Sequence, residues 1–342
     1  MSLDEFVVAN RTVIEVFSVG CLSAERRHAF LVTERLRELA HQVQRQKRKF
    51  LSLIQSMGEL RALTQRPLAS RIVRRIWREG RRIETLPLRM KQWQRSRPLR
   101  EFRDRHAGRT AVVVGMGPSL RPTDLDRLGN VVSFACNKIY LAFDEISWRP
   151  TYYSVCDILV AENNRDAILG ADFGGAQPIH GMLTYDLLKD QDRSLFYNYR
   201  GRITDWQIGE PAEMRSDPSH GLYSGGYSVV IDQIQLAYAM GCTQVYLIGV
   251  DFFFAGGVAT GATSQSGDVL QSLGERNHFH PDYRKPGETW TVPRMAQQAH
   301  AFAFCRAAFE RSGRKLYNAS RQTALTAIER VSFDESFPSP VT

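Results

Sequence analysis

Long apolar runs are missing from this sequence. Its hydrophobic stretches are strand-sized, well short of the roughly 18–20 residues that cross a bilayer as a helix, so no membrane span is expected. Cysteine is sparse: Cys21, Cys136, Cys156, Cys242 and Cys305 are scattered without a CxxC pair. That pattern argues against a disulfide framework or a zinc site and fits buried thiols in a reducing compartment. No basic segment followed by an apolar one opens the chain, so a secretory leader is not expected either. Cytoplasmic residence is the expectation. A glycine loop ending in Lys-Ser or Lys-Thr, the P-loop of many NTPases, is also lacking. What is present is ordinary for a globular protein: 342 residues, 43% hydrophobic and 24% charged, enough for one large α/β domain and an appendage.

The net charge of +9 is unevenly placed. Residues 1–109 hold 25 Lys and Arg against 11 Asp and Glu, whereas 110–342 hold 20 against 25, so the two parts carry +14 and −5. The chain therefore reads as a basic region over 1–108 joined to a mildly acidic module that begins at Arg109.

Within the basic region, Ala29, Val32, Leu36, Leu39, Val43, Gln46, Phe50, Leu53, Met57 and Leu60 are spaced alternately by three and four. That spacing keeps one seam facing a partner helix, as in a coiled coil, and Pro67 ends it. A second helical stretch, Ala69 to Ile83, sets Ile72, Ile76 and Ile83 among Arg71, Arg74, Arg75, Arg78, Arg81 and Arg82. Assembly through the 29–60 seam, with a homo-oligomer as the outcome, is the leading expectation. Peripheral contact with anionic lipid at the inner face of a membrane is the second. Nucleic acid is not expected as a partner, because the charge is accompanied by no reading motif.

The second module alternates strand and helix patterns, which predicts an α/β fold with a mostly parallel, Rossmann-like sheet flanked by helices. Thr110 to Val114 is a β-branched run of the kind buried in parallel sheets. Gly115-Met116-Gly117-Pro118-Ser119 follows at once, and a short helix from Pro122 follows that. A strand, a glycine turn and a helix start form a place where backbone N–H groups converge on a phosphate, with Ser119 as a hydroxyl donor; the bland alternative is a tight βα turn. The next strands, Val131 to Cys136 and Thr151 to Cys156, end in Asn137 and Asp157, and Thr243 to Val250 ends in Asp251. Strand ends of this kind line the ligand crevice of open α/β sheets, although Asn137 and Asp157 also suit helix caps. Ser224-Gly225-Gly226-Tyr227 opens a helical pattern, Val229 to Met240, and offers another seat for an anion. From Phe254 to Val292 the sequence reads as one long polar loop, a length usually tied to function or disorder. It holds Asn277-His278-Phe279-His280-Pro281-Asp282-Tyr283, and histidine is the usual general base near neutral pH. No third ligand accompanies His278 and His280, so no metal site is expected.

In their order, Val114-Gly115-Met116-Gly117-Pro118-Ser119-Leu120, Cys136-Asn137-Lys138-Ile139-Tyr140, Ser224-Gly225 and Tyr246-Leu247-Ile248-Gly249-Val250-Asp251-Phe252 resemble the bacterial family 42 sialyltransferases. Those enzymes show a G-N-G-P-S-L loop, a C-N-x-x-Y segment, an S-G helix start and a Y-L-x-G-I-D-F-Y strand. Arg149-Pro150-Thr151-Tyr152-Tyr153 and the 277–283 segment are similar to the wider 6-hydroxymethylpterin diphosphokinase MptE-like group, which includes flagellin-modifying motility accessory factors. The resemblance spans about 109–333 and leaves 334–342 as a tail.

This resemblance implies a GT-A-like domain that binds a nucleotide-activated sugar, CMP-linked in the sialyltransferases, with no obligatory metal. It implies that Gly115, Met116, Gly117, Pro118, Ser119 and Asn137 hold the nucleotide and that Ser224 and Gly225 contact the donor. It further implies that Tyr223 or Tyr227 steadies the leaving phosphate and that His278 or His280 is the general base. Met116 stands where the sialyltransferases carry asparagine. The implied activity is glycosyl transfer to a cell-surface glycan or protein. The alternatives are an ATP-dependent diphosphokinase with Mg2+ on Asp157 and Asp251, and a non-catalytic nucleotide- or glycan-binding assembly protein.

Overall fold

The computed structural model describes residues 86–256, 258–264 and 267–339. The heptad seam at 29–60 and the arginine-rich stretch at 69–83 lie outside the described residues. The chain divides into two units, Met1–Arg89 and Met90–Thr342, and the architecture that follows is that of the second. Most of a helix, α1 (Leu86–Ser96), falls at its start. Leu99 and Phe102 are buried in the core of this unit, so its packing begins before the first strand.

In chain order the strands are β1 (Thr110–Val114), β2 (Val132–Cys136), β3 (Tyr152–Ser154), β4 (Gln177–Gly181), β5 (Leu195–Tyr197), β6 (Tyr199–Arg202) and β7 (Leu222–Ser224). They continue with β8 (Gln244–Ile248), β9 (Val258–Ser264), β10 (Gly267–Gln271), β11 (Thr289–Thr291), β12 (Lys315–Asn318) and β13 (Glu329–Arg330). Eight of them make one sheet in the order β13-β12-β8-β1-β2-β3-β4-β5, and every pairing within it is parallel. Between the strands lie the helices α2 (Pro122–Asp126), α3 (Ile158–Gly170), α4 (Tyr185–Leu188), α5 (Val229–Ala239) and α6 (Met295–Arg311), with α7 (Phe333–Ser336) at the end.

The expected α/β architecture is thus present as a doubly wound parallel sheet. Ala111 to Val114 are all fully buried, as a strand covered on both faces requires. Alternate residues of β1 then feed two separate cores. Ala111 and Val113 pack in one with Ile234 of α5 and Phe302, Cys305 and Phe309 of α6. Val112 and Val114 pack in the other with Leu125 of α2, Ile168 of α3 and Phe333 of α7. Each fully buried large apolar side chain contributes about 1.5–3 kcal/mol.

Two features position the site. From β1 the chain moves outward through β2 to β5, then returns to β8 on the other side of β1 and proceeds to β12 and β13. The connections leaving β1 and β8 diverge, which makes their paired ends (Val114 beside Ile248) the topological switch point where open α/β sheets bind ligands. Helix α5 runs against the strands: its C-terminal Met240 carbonyl accepts from the His106 N–H at 2.7 Å, below the start of β1. Near its other end Gln233 Nε2 donates to the Ala135 carbonyl at the end of β2. The α5 N-terminus therefore faces the carboxyl edge of the sheet.

The segment 254–292 is not the single long loop its polarity suggests. It builds a three-stranded antiparallel sheet, β11-β10-β9, with Leu270 opposite Trp290. Its strands are short and mostly polar, and too few apolar residues alternate to give the period-2 signal. Residues 158–224 supply α3, β4, α4, β5, β6 and β7. Among the described residues no helix is long and apolar enough to cross a membrane.

Candidate active site

The loop 115–119 sits at the switch point, directly against the turn that leaves β8. The Gly115 N–H donates to the Ile248 carbonyl and the Gly117 N–H to the Gly249 carbonyl, each at 2.8 Å. A methyl group on Gly115 would stand 2.5 Å from the Gly249 oxygen, and one on Gly117 would stand 2.7 Å from the Asp251 Cγ. Close passage of two turns is thus what demands glycine here. Asp251 accepts from the Ser119 N–H at 2.7 Å and from the Ser119 hydroxyl in a short contact. Burial raises the Asp251 carboxyl above its ordinary range, and the Ser119 hydroxyl and N–H draw it part of the way back. Pro118 has no N–H, so Met116 keeps the one backbone donor in 115–119 not given to a protein acceptor among the described residues. The loop lies at the switch point, yet all but one of its donors serve the protein and its neighbour is a carboxylate.

A different surface forms at the ends of β2 and β3. Asn137 has a left-handed backbone, φ 48°, and its carbonyl accepts from the Tyr153 hydroxyl at 2.6 Å. The Asn137 side chain also meets the hydroxyl of Tyr283, whose ionisation burial pushes far up, while Asn137 Oδ1 is buried with no hydrogen bond. Next to it, the buried Lys138 places Nζ 3.4 Å from Glu288 Oε2 and 5.7 Å from the centre of the Tyr283 ring. Burial lowers the Lys138 pKa and Glu288 partly restores it. Arg284 stacks on Trp290, 4.2 Å from the ring centre. Asp157 caps α3, its Oδ1 accepting from the Leu159 N–H at 2.8 Å.

The two histidines have separate roles. His280 caps the turn Pro281–Tyr283, its Nδ1 accepting from the Asp282 N–H at 3.1 Å. His278 is held face to face on Tyr283, ring centres 3.8 Å apart and planes at 8°. Its Nδ1 lies 2.9 Å from Glu275 Oε2, a close polar contact without the alignment of a good hydrogen bond. Burial lowers the His278 pKa, Glu275 offsets part of this, and Arg284 and Lys138 lower it further. The imidazole is therefore neutral at pH 7 and able to take a proton. Burial raises the Glu275 carboxyl, but His278, the Asn277 N–H and Arg284 outweigh it and hold Glu275 below its ordinary value. The Phe279 N–H donates to the Met116 carbonyl at 3.0 Å, which draws the histidine segment across the glycine loop.

At the start of α5 the small residues are spent locally. The Ser224 hydroxyl donates to the Gly201 carbonyl at 3.0 Å, and Ser228 caps the helix through the Val230 N–H. A methyl group on Gly226 would meet Ile231 at 2.5 Å, whereas Gly225 has a left-handed φ of 92°. Tyr227 is exposed beneath Arg294 and its carbonyl accepts from Gln298. In the first turn of α5, the buried Asp232 accepts from Tyr197 at 2.7 Å and Tyr199 at 2.6 Å. Burial raises its pKa to about 6 despite these hydroxyls and the Cys156 thiol.

The structure thus brings Asn137, Asp157 and His278 to one edge of the crevice with Glu275, Tyr283, Lys138, Arg284 and Glu288. Gly115 to Ser119 and Asp251 form the adjoining floor. Of these, Glu275, Arg284 and Glu288 stand outside the motifs read from the sequence, and Lys138 holds a variable position of the C-N-x-x-Y segment. The signal that points to them is adjacency: Lys138 follows Asn137, and Arg284 follows Tyr283. Among the described residues no three His, Cys, Asp or Glu side chains gather as metal ligands would, and the two carboxylates a diphosphokinase would use, Asp157 and Asp251, each cap protein N–H groups.

No family model and no curated protein matches the sequence. Solved structures resemble it in part. One is the MAf glycosyltransferase from Magnetospirillum magneticum AMB-1, 15% identical with a TM-score of 0.41, matched over 79% of this chain and 43% of its own. The chain thus spans less than half the length of that protein. Another is the sialyltransferase CstII from Campylobacter jejuni in complex with cytidine-5'-monophosphate, 12% identical with a TM-score of 0.38, matched over 66% of this chain and 86% of its own. The same enzyme with CMP-3FNeuAc gives 15%, 0.35 and the same coverage.

Proposed function

We propose that the protein is a glycosyltransferase that binds a nucleotide-activated sugar, CMP-linked by the motif resemblance, in the crevice above β1, β2 and β8. His278 is the general base. The observation that carries the reading is the His278–Glu275 pair: a largely buried imidazole, fixed on Tyr283, its pKa lowered, with Nε2 free of hydrogen bonds among the described residues. The negative charge of Glu275 beside Nδ1 favours the proton on that nitrogen, which leaves Nε2 to accept one.

In the proposed reaction an acceptor hydroxyl of a glycan or glycoprotein gives its proton to His278 Nε2. Its oxygen bonds to the anomeric carbon of the donor as the bond from that carbon to the phosphate oxygen breaks. The electron pair of that bond leaves with the nucleotide. General-base help of this kind is worth about 10²–10⁴-fold in rate.

Two measurements test the reading. The first is thermal stabilisation by CMP, CDP, UDP, GDP and ATP with and without EDTA. Protection by CMP that EDTA leaves unchanged supports it, whereas protection by ATP with Mg2+ alone points to a diphosphokinase and silence to an assembly protein. The second is nucleotide release from CMP-activated sugars, and retention of most of the wild-type rate by His278→Ala would overturn the role of the base.

A further inference from the structure

The crevice has charge that its own protein does not use. Arg284 lies half-buried against Trp290, and among the described residues its guanidinium makes neither a hydrogen bond nor an ion pair. Glu275, Glu288 and Asp157 act on its charge through space but none is in contact with it. A guanidinium carries five donors, and a half-buried one stacked on an aromatic face has its plane set for a bidentate oxyanion. Lys138 is also under-used: of its three donors one reaches Glu288, at a long 3.4 Å, and 8% of the side chain is exposed. Asn137 Oδ1, at the same strand end, is a buried acceptor without a donor. Leaving such a group unpaired costs about 1–3 kcal/mol, a cost that a ligand donor would remove. By contrast, Ser119 and the Gly115 and Gly117 amides are already paired.

We propose that Arg284 and Lys138 form the anion seat of this crevice, taking a phosphate or carboxylate oxygen of the nucleotide-sugar donor. Asn137 Oδ1 accepts from a donor hydroxyl or amine, and Glu288 is the built-in competitor that the anion displaces from Lys138. This rests on the reading of the crevice as a donor site, and it moves the phosphate from the glycine loop to the ends of β2 and β3. The negative charge that develops on a departing nucleotide is met there by fixed cations. Lys138 and Arg284 also add to the burial that lowers the His278 pKa, so one pair of side chains both holds the anion and acts on the base.

The test is calorimetric titration of the full chain, wild type and Arg284→Gln, Lys138→Gln and Glu288→Gln, each checked for an unchanged melting transition. CMP against cytidine reads a phosphate, and N-acetylneuraminate against its methyl ester reads a carboxylate. The expected result is that one anion binds and its neutral counterpart does not. Affinity should then fall at least about tenfold in Arg284→Gln, fall less in Lys138→Gln, and rise in Glu288→Gln, where Lys138 is released. Because Glu288→Gln is a gain, misfolding cannot imitate it. Unchanged affinity in all three variants, or no anion bound by wild type and Glu288→Gln alike, overturns the seat. Anion binding with this pattern but no sugar transfer retains the seat and removes the transferase reading. Full transfer activity in Arg284→Gln and Lys138→Gln does the reverse.

Discussion

The floor of the crevice and its β2–β3 edge make a pair of opposites. The floor, Gly115 to Ser119, has the sequence of an anion cradle, and its donors, the Met116 amide apart, are bound to Ile248, Gly249 and Asp251. The edge has no phosphate motif, yet it holds a stacked arginine, a buried lysine and a shielded histidine. A glycine-rich turn reports that two backbones come close; whether the second belongs to a ligand or to the protein depends on what the neighbouring strand places there. Here the neighbour is the turn after β8, and its Asp251 takes the donors a phosphate would otherwise receive.

The largest effect that separates the two regions is expected at the edge. His278→Ala should lower nucleotide release from an activated sugar by about 10²–10⁴-fold, measured at saturating donor. His280→Ala should remove a turn cap worth about 1 kcal/mol and leave the rate near wild type. Equal losses in both would erase the distinction between them.

On the floor the expected effects are on stability. Gly117→Ala puts a methyl group 2.7 Å from both the Asp251 Cγ and the Gly249 oxygen, overpacking that costs about 1–3 kcal/mol and is read as a lower denaturation midpoint. Asp251→Ala leaves the Ser119 N–H without its acceptor, a loss of about 1–3 kcal/mol. It should leave CMP affinity unchanged. If the floor were the phosphate seat, removing that carboxylate would tighten CMP binding instead, and calorimetry on the variant distinguishes the outcomes.

The last effect concerns the carboxylate beneath the edge. Asp232 is buried and its pKa is raised from 3.8 to about 6, so between these values the folded chain binds a proton that the unfolded chain has lost. The stability this brings is fully present below about pH 4 and is lost as pH rises towards 6. It amounts to order 1–3 kcal/mol. Urea titrations at pH 4.5 and 7 should show this change in wild type, and Asp232→Asn should flatten it.

Much of this was legible in the sequence. The run Thr110 to Val114 and the glycine turn after it fix β1, and Asn137 directly follows β2, because runs buried on both faces leave polar residues at their ends; Asp157 and Asp251 instead lie beyond β3 and β8, which end earlier than expected, at Ser154 and Ile248. Placing His278 above Tyr283 was not legible, since a stacking contact five residues away depends on the turn that His280 caps. Nor was the β9–β11 sheet, whose polar strands lack an alternating apolar face. The role of Lys138 and Arg284 stayed hidden for another reason. They are 146 positions apart, and chain folding alone brings Glu288 to Lys138 and sets both cations around the histidine.

The most direct measurement is a crystal structure of the full chain with a non-hydrolysable CMP-sugar analogue. The expected result is the phosphate within hydrogen-bonding distance of Arg284 and Lys138, Glu288 turned away, and His278 Nε2 facing the anomeric carbon. A phosphate lying on the Met116 amide and Ser119, with Asp251 displaced and Arg284 still unpaired, would contradict it.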